Sequence, residues 1–359
     1  MSFYALIMAG GVGTRLWPLS RRHRPKQSLK LVGGRTMFEH AVDRIAPLFQ
    51  PEEIFVVTGA EHVEALASQA PELPTENFIV EPEGRGTAPA IGLGAVHLHR
   101  RDPEAVMVVL TADHFIADVE CFRRALVVAA QMAEEGHLVT LGIKPSSPST
   151  GYGYIKQGGL CGEIEGFSVF EAQRFTEKPS PETAFHMVES GEYSWNSGMF
   201  IWRVDRILEE FQRQMAEFYV QLAEVEAALG TPGYEAALRR VWPGVEKQTI
   251  DYGVMEGAAD VVVIPVDIGW SDVGSWASLA DLLPADERGN IVVGSHLGLD
   301  TEDVLIFSTE ERRLIATIGL QGVVIVDTED ALLICSKEQE QQVRALVREL
   351  EARDEKEYL

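Results

Sequence analysis

Short runs of branched apolar residues alternate with helix-period stretches before Lys144, and this alternation leaves few folds open. Phe3–Met8, Ile54–Val57, Val106–Leu110 and Leu138–Leu141 read as buried strands, because they are short, β-branched and bounded by turn signals. Between them Met37–Leu48, His62–Gln69 and Cys121–Glu135 read as helices. In the last, Phe122, Ala125, Leu126 and Ala129 recur at helical spacing. Strands alternating with helices imply right-handed βαβ units, hence a mostly parallel sheet covered on both faces.

The pattern changes after Lys144. Pro145-Ser-Ser-Pro148 and Gly151-Tyr-Gly-Tyr154 mark loops, and Gly166–Phe175 alternates apolar and polar residues as a half-solvated strand does. Val204–Leu229 reads as a long amphipathic helical stretch, and Val261–Val266 as a further core strand. Pro284-Ala-Asp-Glu-Arg-Gly-Asn290 has the composition of a linker. Beyond it Ile291–Val293, Val304–Phe307, Leu314–Ile318, Val323–Val326 and Leu332–Cys335 are short strand-like runs separated by turns. A charged helix over 337–359, with Val343, Leu346, Val347 and Leu350 on one stripe, closes the chain. The expected division is 1–285 for the α/β domain and 286–359 for a small β domain ending in that helix.

Composition restricts the class of partner. The net charge is −24, which disfavours nucleic acid and anionic membrane surfaces. Phe3–Ala9 is too short for a signal-peptide core, and no run approaches a membrane span. Cys121, Cys161 and Cys335 are widely spaced with no CxxC pair, which fits a reducing, cytoplasmic setting.

The charge is not uniform. Residues 1–38 carry seven cations (Arg15, Arg21, Arg22, Arg24, Lys26, Lys30, Arg35) and no Asp or Glu. They surround Gly10-Gly11-Val12-Gly13-Thr14-Arg15, which directly follows the first strand. Glycines there let backbone N–H groups approach phosphate, with Arg supplying a planar fork and Lys a compact charge. Two common phosphate loops are excluded. A dinucleotide GxGxxG would need glycine where Leu16 stands, with an acid where Thr58 and Gly59 end the second strand; the GKS/GKT of a P-loop is absent. Arg21, Arg22 and Arg24 read equally well as a solvated, field-setting cluster.

The segment Gly10–Gln27 resembles the sugar-nucleotide pyrophosphorylases, nucleotidyltransferases that activate sugar 1-phosphates, and within them the guanylyl branch. Four more blocks follow in family order: Glu81-Pro-Glu-Gly-Arg-Gly-Thr-Ala-Pro-Ala90, Thr111-Ala-Asp-His114, Phe175-Thr-Glu-Lys-Pro-Ser180 with Trp195-Asn-Ser-Gly198, and Gly269-Trp-Ser-Asp-Val-Gly-Ser-Trp276. The resemblance implies a three-layer α/β/α, Rossmann-like nucleotidyltransferase domain with a mixed, mostly parallel sheet, followed by a short β-helix-like domain.

It also implies site residues. Arg15, Lys26, Gly10, Gly11, Gly13 and Thr14 would hold the triphosphate tail. Glu81, Arg85 and Thr87 belong to the base-binding block, where Glu81 would accept from the N1–H and amine of guanine. Gly86 departs from the family's usual Asn, removing one side-chain contact. Asp113 and Asp272 would hold Mg2+, with Asp267 ranked second to Asp272, and His114 is read as structural. Lys178 would hold the sugar phosphate; Glu177, Asn196 and Gly151 would meet the sugar, and Gly198 would open the next strand.

The implied reaction joins GTP to mannose 1-phosphate, giving GDP-mannose and pyrophosphate. Other readings are a pyrophosphorylase for another nucleotide or hexose, a regulatory homologue without turnover, and a nicotinamide-dependent oxidoreductase, which the failed fingerprint opposes. A bifunctional isomerase–guanylyltransferase would need a further domain beyond residue 359. A homodimer through the β domain or last helix is left open.

Overall fold

The computed structural model describes residues 2–11, 13–310 and 312–359. The chain forms two compact units. One comprises Met1–Gly10, Ala41–Ala112 and Ile116–Trp270; the other Gly11–His40, Asp113–Phe115 and Ser271–Leu359.

The first unit is built on a sheet of nine strands among the described residues. They are β1 (Phe3–Met8), β2 (Ile54–Gly59), β3 (Phe78–Glu81), β4 (Val106–Thr111), β6 (Leu138–Ile143), β7 (Tyr154–Ile164), β8 (Phe167–Thr176), β9 (Tyr193–Arg203) and β10 (Val261–Val266). The two-residue strands β5 (Phe115–Ile116) and β11 (Trp270–Ser271) fall where the chain passes from one unit to the other. The strand order is β3-β2-β1-β4-β9-β6-β10-β8-β7. All but β8 and β9 run in one direction, so the sheet is mixed and mostly parallel as expected.

Register sorts the side chains into two layers. Leu6 lies opposite Val109, Val109 opposite Phe200, and Met107 opposite Trp202. These residues share a core with helices Thr87–Arg101, Val204–Gln214 and Ala216–Ala228. The alternate positions Ala5, Val108 and Ile201 face the other way, and helix Val119–Glu134 lies along β4, β6, β9 and β10.

The stretch 204–229 is two helices, not one. Met215, with φ −130 and ψ 54, ends the first and begins the second. No glycine or proline marks this break. It is set by docking: Phe211 and Phe218 meet edge-on at 5.3 Å, and Gly92 leaves room for Phe218, which a Cβ would meet at 2.7 Å. Gly198 also differs from expectation, because it lies inside β9 at φ 70, beside a register shift against β6, and does not open the strand.

In the second unit β12 (Ile291–Val293), β14 (Leu305–Ser308) and β16 (Val323–Asp327) are parallel, and β17 (Leu332–Ser336) closes the sheet antiparallel. β13 (Ser295–Leu299) and β15 (Leu314–Ile318) pair in parallel. Successive passes of the chain thus stack like turns of a β-helix. The strand Ser295–Leu299 was not legible in the sequence: its side chains are exposed or half-buried, so no apolar run announces it. The closing helix is shorter than its stripe suggested, Val343–Ala352, preceded by a 3-10 stretch Lys337–Gln342. No helix of the described residues is long and apolar enough to cross a membrane.

Candidate functional site

In the second unit the glycine loop leads into a 3-10 turn, Thr14–Leu16, started by Gly13 in the left-handed region at φ 73. Gly13 O accepts from Leu16 N–H at 3.0 Å and from the Ser20 hydroxyl at 2.7 Å. A Cβ on Gly13 would meet Lys26 Cβ at 2.5 Å, so glycine is what admits Lys26 against the loop. Val12 lies outside the described residues, and open space surrounds the Cβ positions of Gly10 and Gly11.

Lys26 is buried, and its ammonium donates to Asp113 Oδ2 at 2.9 Å and to the backbone carbonyl of Asp272. Burial pushes the Asp113 carboxyl up, but the Lys26 charge, then His114 and the Lys26 hydrogen bond, outweigh it and hold the group below the usual range. Asp113 is therefore ionised at neutral pH.

Asp272 is shaped by its own loop. Its Oδ1 accepts from Gly274 N–H at 3.2 Å, and a Cβ on Gly274 would overlap Asp272 Oδ2. Between them Val273 is fully buried at φ 44, a strained conformation for a β-branched residue. Core packing of its side chain holds the turn. Arg15 Nη1 donates to Gly274 O at 3.4 Å. Gly13, Thr14, Arg15, Lys26, Asp113 and Asp272 line one cavity of about 290 Å3, with His114 and Arg344 also on its wall.

Two carboxylates, one of them kept ionised, facing a cavity with cationic and glycine-loop walls, fit a divalent ion that takes its remaining oxygens from phosphate and water. No group of three or more His, Cys, Asp or Glu among the described residues could hold a metal ion by itself. Asp267 is exposed and lines a different cavity, in the first unit, with Lys144, Gln157 and Tyr193.

Two further cations of the loop region are paired within the second unit. Arg21 is buried over the Trp17 ring, donates to Pro18 O and pairs with Asp330 at 2.9 Å; Arg22 pairs with Glu351 at 2.9 Å. For Arg21 the solvated, field-setting reading gives way to a buried tie between the N-terminal cationic segment and Asp330, whereas Arg22 and Arg24 are exposed as that reading has them.

The first unit carries two further clusters. At the end of β3, Glu81 is 6% exposed and accepts from Arg85 N–H, yet its Oε1 is buried with no partner. Desolvation raises its pKa to about 7, against the smaller lowering effect of that hydrogen bond. Gly86 begins helix Thr87–Arg101 at φ 95 and ψ 179, and any Cβ there would overlap Gln248 O. The departure from Asn is therefore matched by this backbone. Arg85 is turned onto Glu83 at 2.8 Å and Pro243 O at 3.2 Å, and Thr87 Oγ1 accepts from Ile250 N–H at 2.8 Å.

In the second cluster Lys178, at φ 45, donates to Glu177. A Cβ on Gly153 would meet Glu177 Oε2 at 2.6 Å and Asn196 Cβ at 3.4 Å, so Gly153, not Gly151, makes the close approach. Gly151 is exposed, its N–H donates to Ser149 Oγ at 3.2 Å, and a Cβ there would meet that oxygen at an ordinary 3.6 Å. Asn196 donates to Asp251 Oδ1 at 2.6 Å. Burial raises the Asp251 pKa; the Asn196 hydrogen bond and Lys178 lower it, and Glu177 raises it further. Sequence reasoning missed Asp251, because Thr249-Ile-Asp-Tyr reads as an ordinary helix start and only folding brings it beside Asn196.

Comparison with known proteins follows the same lines. Residues 4–289 match the Nucleotidyl transferase family and residues 294–350 the MannoseP isomerase/GMP-like beta-helix domain. A mannose-1-phosphate guanylyltransferase of Klebsiella pneumoniae is 40% identical over 98% of this chain and 75% of its own length. One of Escherichia coli strain K12 is 41% identical over 97% of this chain and 73% of its own. A solved structure from Thermus thermophilus, described as a mannose-1-phosphate geranyltransferase, is 36% identical, with a TM-score of 0.87, covering 98% of this chain and all of that one.

Proposed function

We propose that this chain, which belongs to the nucleotidyl transferase family, transfers GMP from GTP to mannose 1-phosphate, releasing pyrophosphate. The observation that carries the reading is the constellation of Lys26, Asp113 and Asp272 beside the glycine loop.

The nucleophile needs no base. A phosphate monoester has its second pKa near ~6, so the sugar phosphate is largely dianionic at pH 7. Its oxygen attacks the α-phosphorus in line; the bond to the bridging oxygen breaks, and pyrophosphate leaves with that electron pair. Positioning and charge stabilisation are then what the protein supplies. Arg15 and the amides around Gly13 receive the triphosphate tail. Lys26 keeps Asp113 ionised and oriented. A Mg2+ ion held by Asp113 and Asp272 would neutralise phosphate charge as the leaving group develops. Lys178 receives the nucleophile's phosphate, and Glu177 and Asn196 the sugar hydroxyls. Glu81, with its unpartnered buried oxygen, accepts from the two N–H groups on the guanine edge, where uracil offers one.

The test is a matrix of four nucleoside triphosphates against several hexose 1-phosphates, scored by pyrophosphate release with and without Mg2+. GTP with mannose 1-phosphate should be the preferred pair, and Asp113→Asn and Asp272→Asn should each lower its turnover by on the order of 10²–10³. Equal rates with all four nucleotides would refute the assignment of the base, and unimpaired variants that of the carboxylates.

A further inference from the structure

We propose that Arg344, on the C-terminal helix of the second unit, is a ligand for the terminal phosphates of the nucleotide and for the pyrophosphate they become. The proposal rests on the reading of the reaction above. It adds a residue from a region that none of the motifs includes.

Arg344 stands on the wall of the cavity that Gly13, Arg15, Lys26, Asp113 and Asp272 line. Its place there is fixed by packing. Helix Val343–Ala352 buries Val343 and Val347 in the same apolar core as Leu16 and Trp17. Just before the helix, the buried Glu340 accepts from Trp276 N–H at 3.1 Å; Trp276 Nε1–H donates to Trp17 O at 3.2 Å, and Trp17 Nε1–H to Tyr358 O at 2.7 Å. The helix and the phosphate-loop turn thus belong to one hydrogen-bonded and packed body.

The second observation is that Arg344 is uncommitted. Three cations of the same unit have carboxylate partners: Lys26 has Asp113, Arg21 has Asp330 and Arg22 has Glu351, while Arg15 on the cavity wall donates to Gly274 O. Among the described residues Arg344 makes no ion pair and no side-chain hydrogen bond, although the chain holds 55 acidic residues. The acid one turn before it, Glu340, is the natural i−4 partner but is turned inward to Trp276. A solvated guanidinium facing a glycine-loop cavity presents its planar fork to whatever anion enters, and bidentate contact with phosphate oxygens is what that fork suits.

The test uses the full chain with Mg2+, as wild type, Arg344→Ala and Arg344→Lys. In the forward direction the KM for GTP should rise about tenfold or more in Arg344→Ala, and in reverse the KM for pyrophosphate should rise alike. The KM for mannose 1-phosphate and the Kd of GDP-mannose, which lacks the leaving group, should stay within about twofold, with Lys restoring part of the loss. A merely structural role would weaken GDP-mannose and GTP together and lower the unfolding midpoint, and that outcome overturns the proposal. So does an unchanged KM for GTP. Calorimetric binding of inorganic pyrophosphate to wild type and Arg344→Ala is the separate arm. If the substrate matrix refutes the nucleotide or sugar, a pyrophosphate affinity lost in Arg344→Ala still supports the contact; an unchanged affinity in a chain that turns over GTP and mannose 1-phosphate overturns Arg344 alone.

Discussion

Glu81 in the first unit and Asp113 in the second are both candidate substrate-facing carboxylates, and their surroundings treat them in opposite ways. Asp113 has a lysine in contact and is held ionised below the usual carboxylate range. Among the described residues Glu81 has no cation in hydrogen-bond contact, and it has one backbone donor, a buried Oε1 without a partner and a pKa of about 7. A carboxylate meant to hold a cation must be charged before the ligand arrives. One meant to accept from N–H groups of a flat base can wait for the ligand to complete its hydrogen bonds. The contrast teaches that the same side-chain chemistry is set by its neighbours, and that the two should respond differently to pH and to substitution.

The largest expected effect lies on the Lys26 side. Lys26→Ala should reduce turnover by on the order of 10²–10³. It should also cost roughly 2 kcal/mol of stability in denaturant titration, below the figure for a fully buried pair because the Asp113 side chain is one-third exposed. Adding Asp113→Asn should recover much of that stability and none of the activity. If the double variant is as unstable as the single, the ion pair is not what the stability change reports.

Glu81→Gln comes next. It should raise the KM for GTP by about 10–100-fold, since a charged acceptor is lost. Its stability effect has the opposite sign. A carboxyl with folded pKa raised from 4.5 to about 7 binds more protons folded than unfolded across that window, so wild-type stability falls as pH rises through it. Glu81→Gln should therefore stabilise the protein at pH 8 by roughly 1–3 kcal/mol in thermal unfolding. For the same reason wild-type GTP binding should weaken about tenfold between pH 8 and pH 6, and Glu81→Gln should lack that step. A parallel profile in the variant would assign the step to the nucleotide.

Gly86→Asn, which restores the family's usual residue, should cost about 1–3 kcal/mol of stability, because φ 95 with ψ 179 is a glycine conformation and Gln248 O occupies the Cβ position. A neutral change in melting temperature would mean that the 85–88 backbone relaxes freely. The smallest effect is expected at Arg22→Ala. Its pair with Glu351 is largely exposed, so the loss should stay below about 1 kcal/mol and vanish at high salt.

What was legible in the sequence follows a physical division. β1, β4, β6 and β10 were readable because burial on both faces demands unbroken apolar runs. The break at Met215 was not, because Val204, Ile207, Phe211, Phe218, Leu222 and Val225 keep helical spacing straight through it. Asp251 and Arg344 carry no local signal at all. Each becomes notable only through what folding puts beside it: Asn196 in one case, the glycine loop in the other.

By itself the sequence determined the class of sheet, the family, and the residue types available for phosphate, metal and sugar, because period, turn chemistry and motif order are local properties of the chain. Only the tertiary structure decided which charges are spent and which are free. Lys26 is bound to Asp113, Arg21 to Asp330 and Arg22 to Glu351, while Arg344 is left open and Glu81 keeps an unmatched oxygen. Pairing and desolvation depend on residues up to hundreds of positions apart, and no local pattern encodes them.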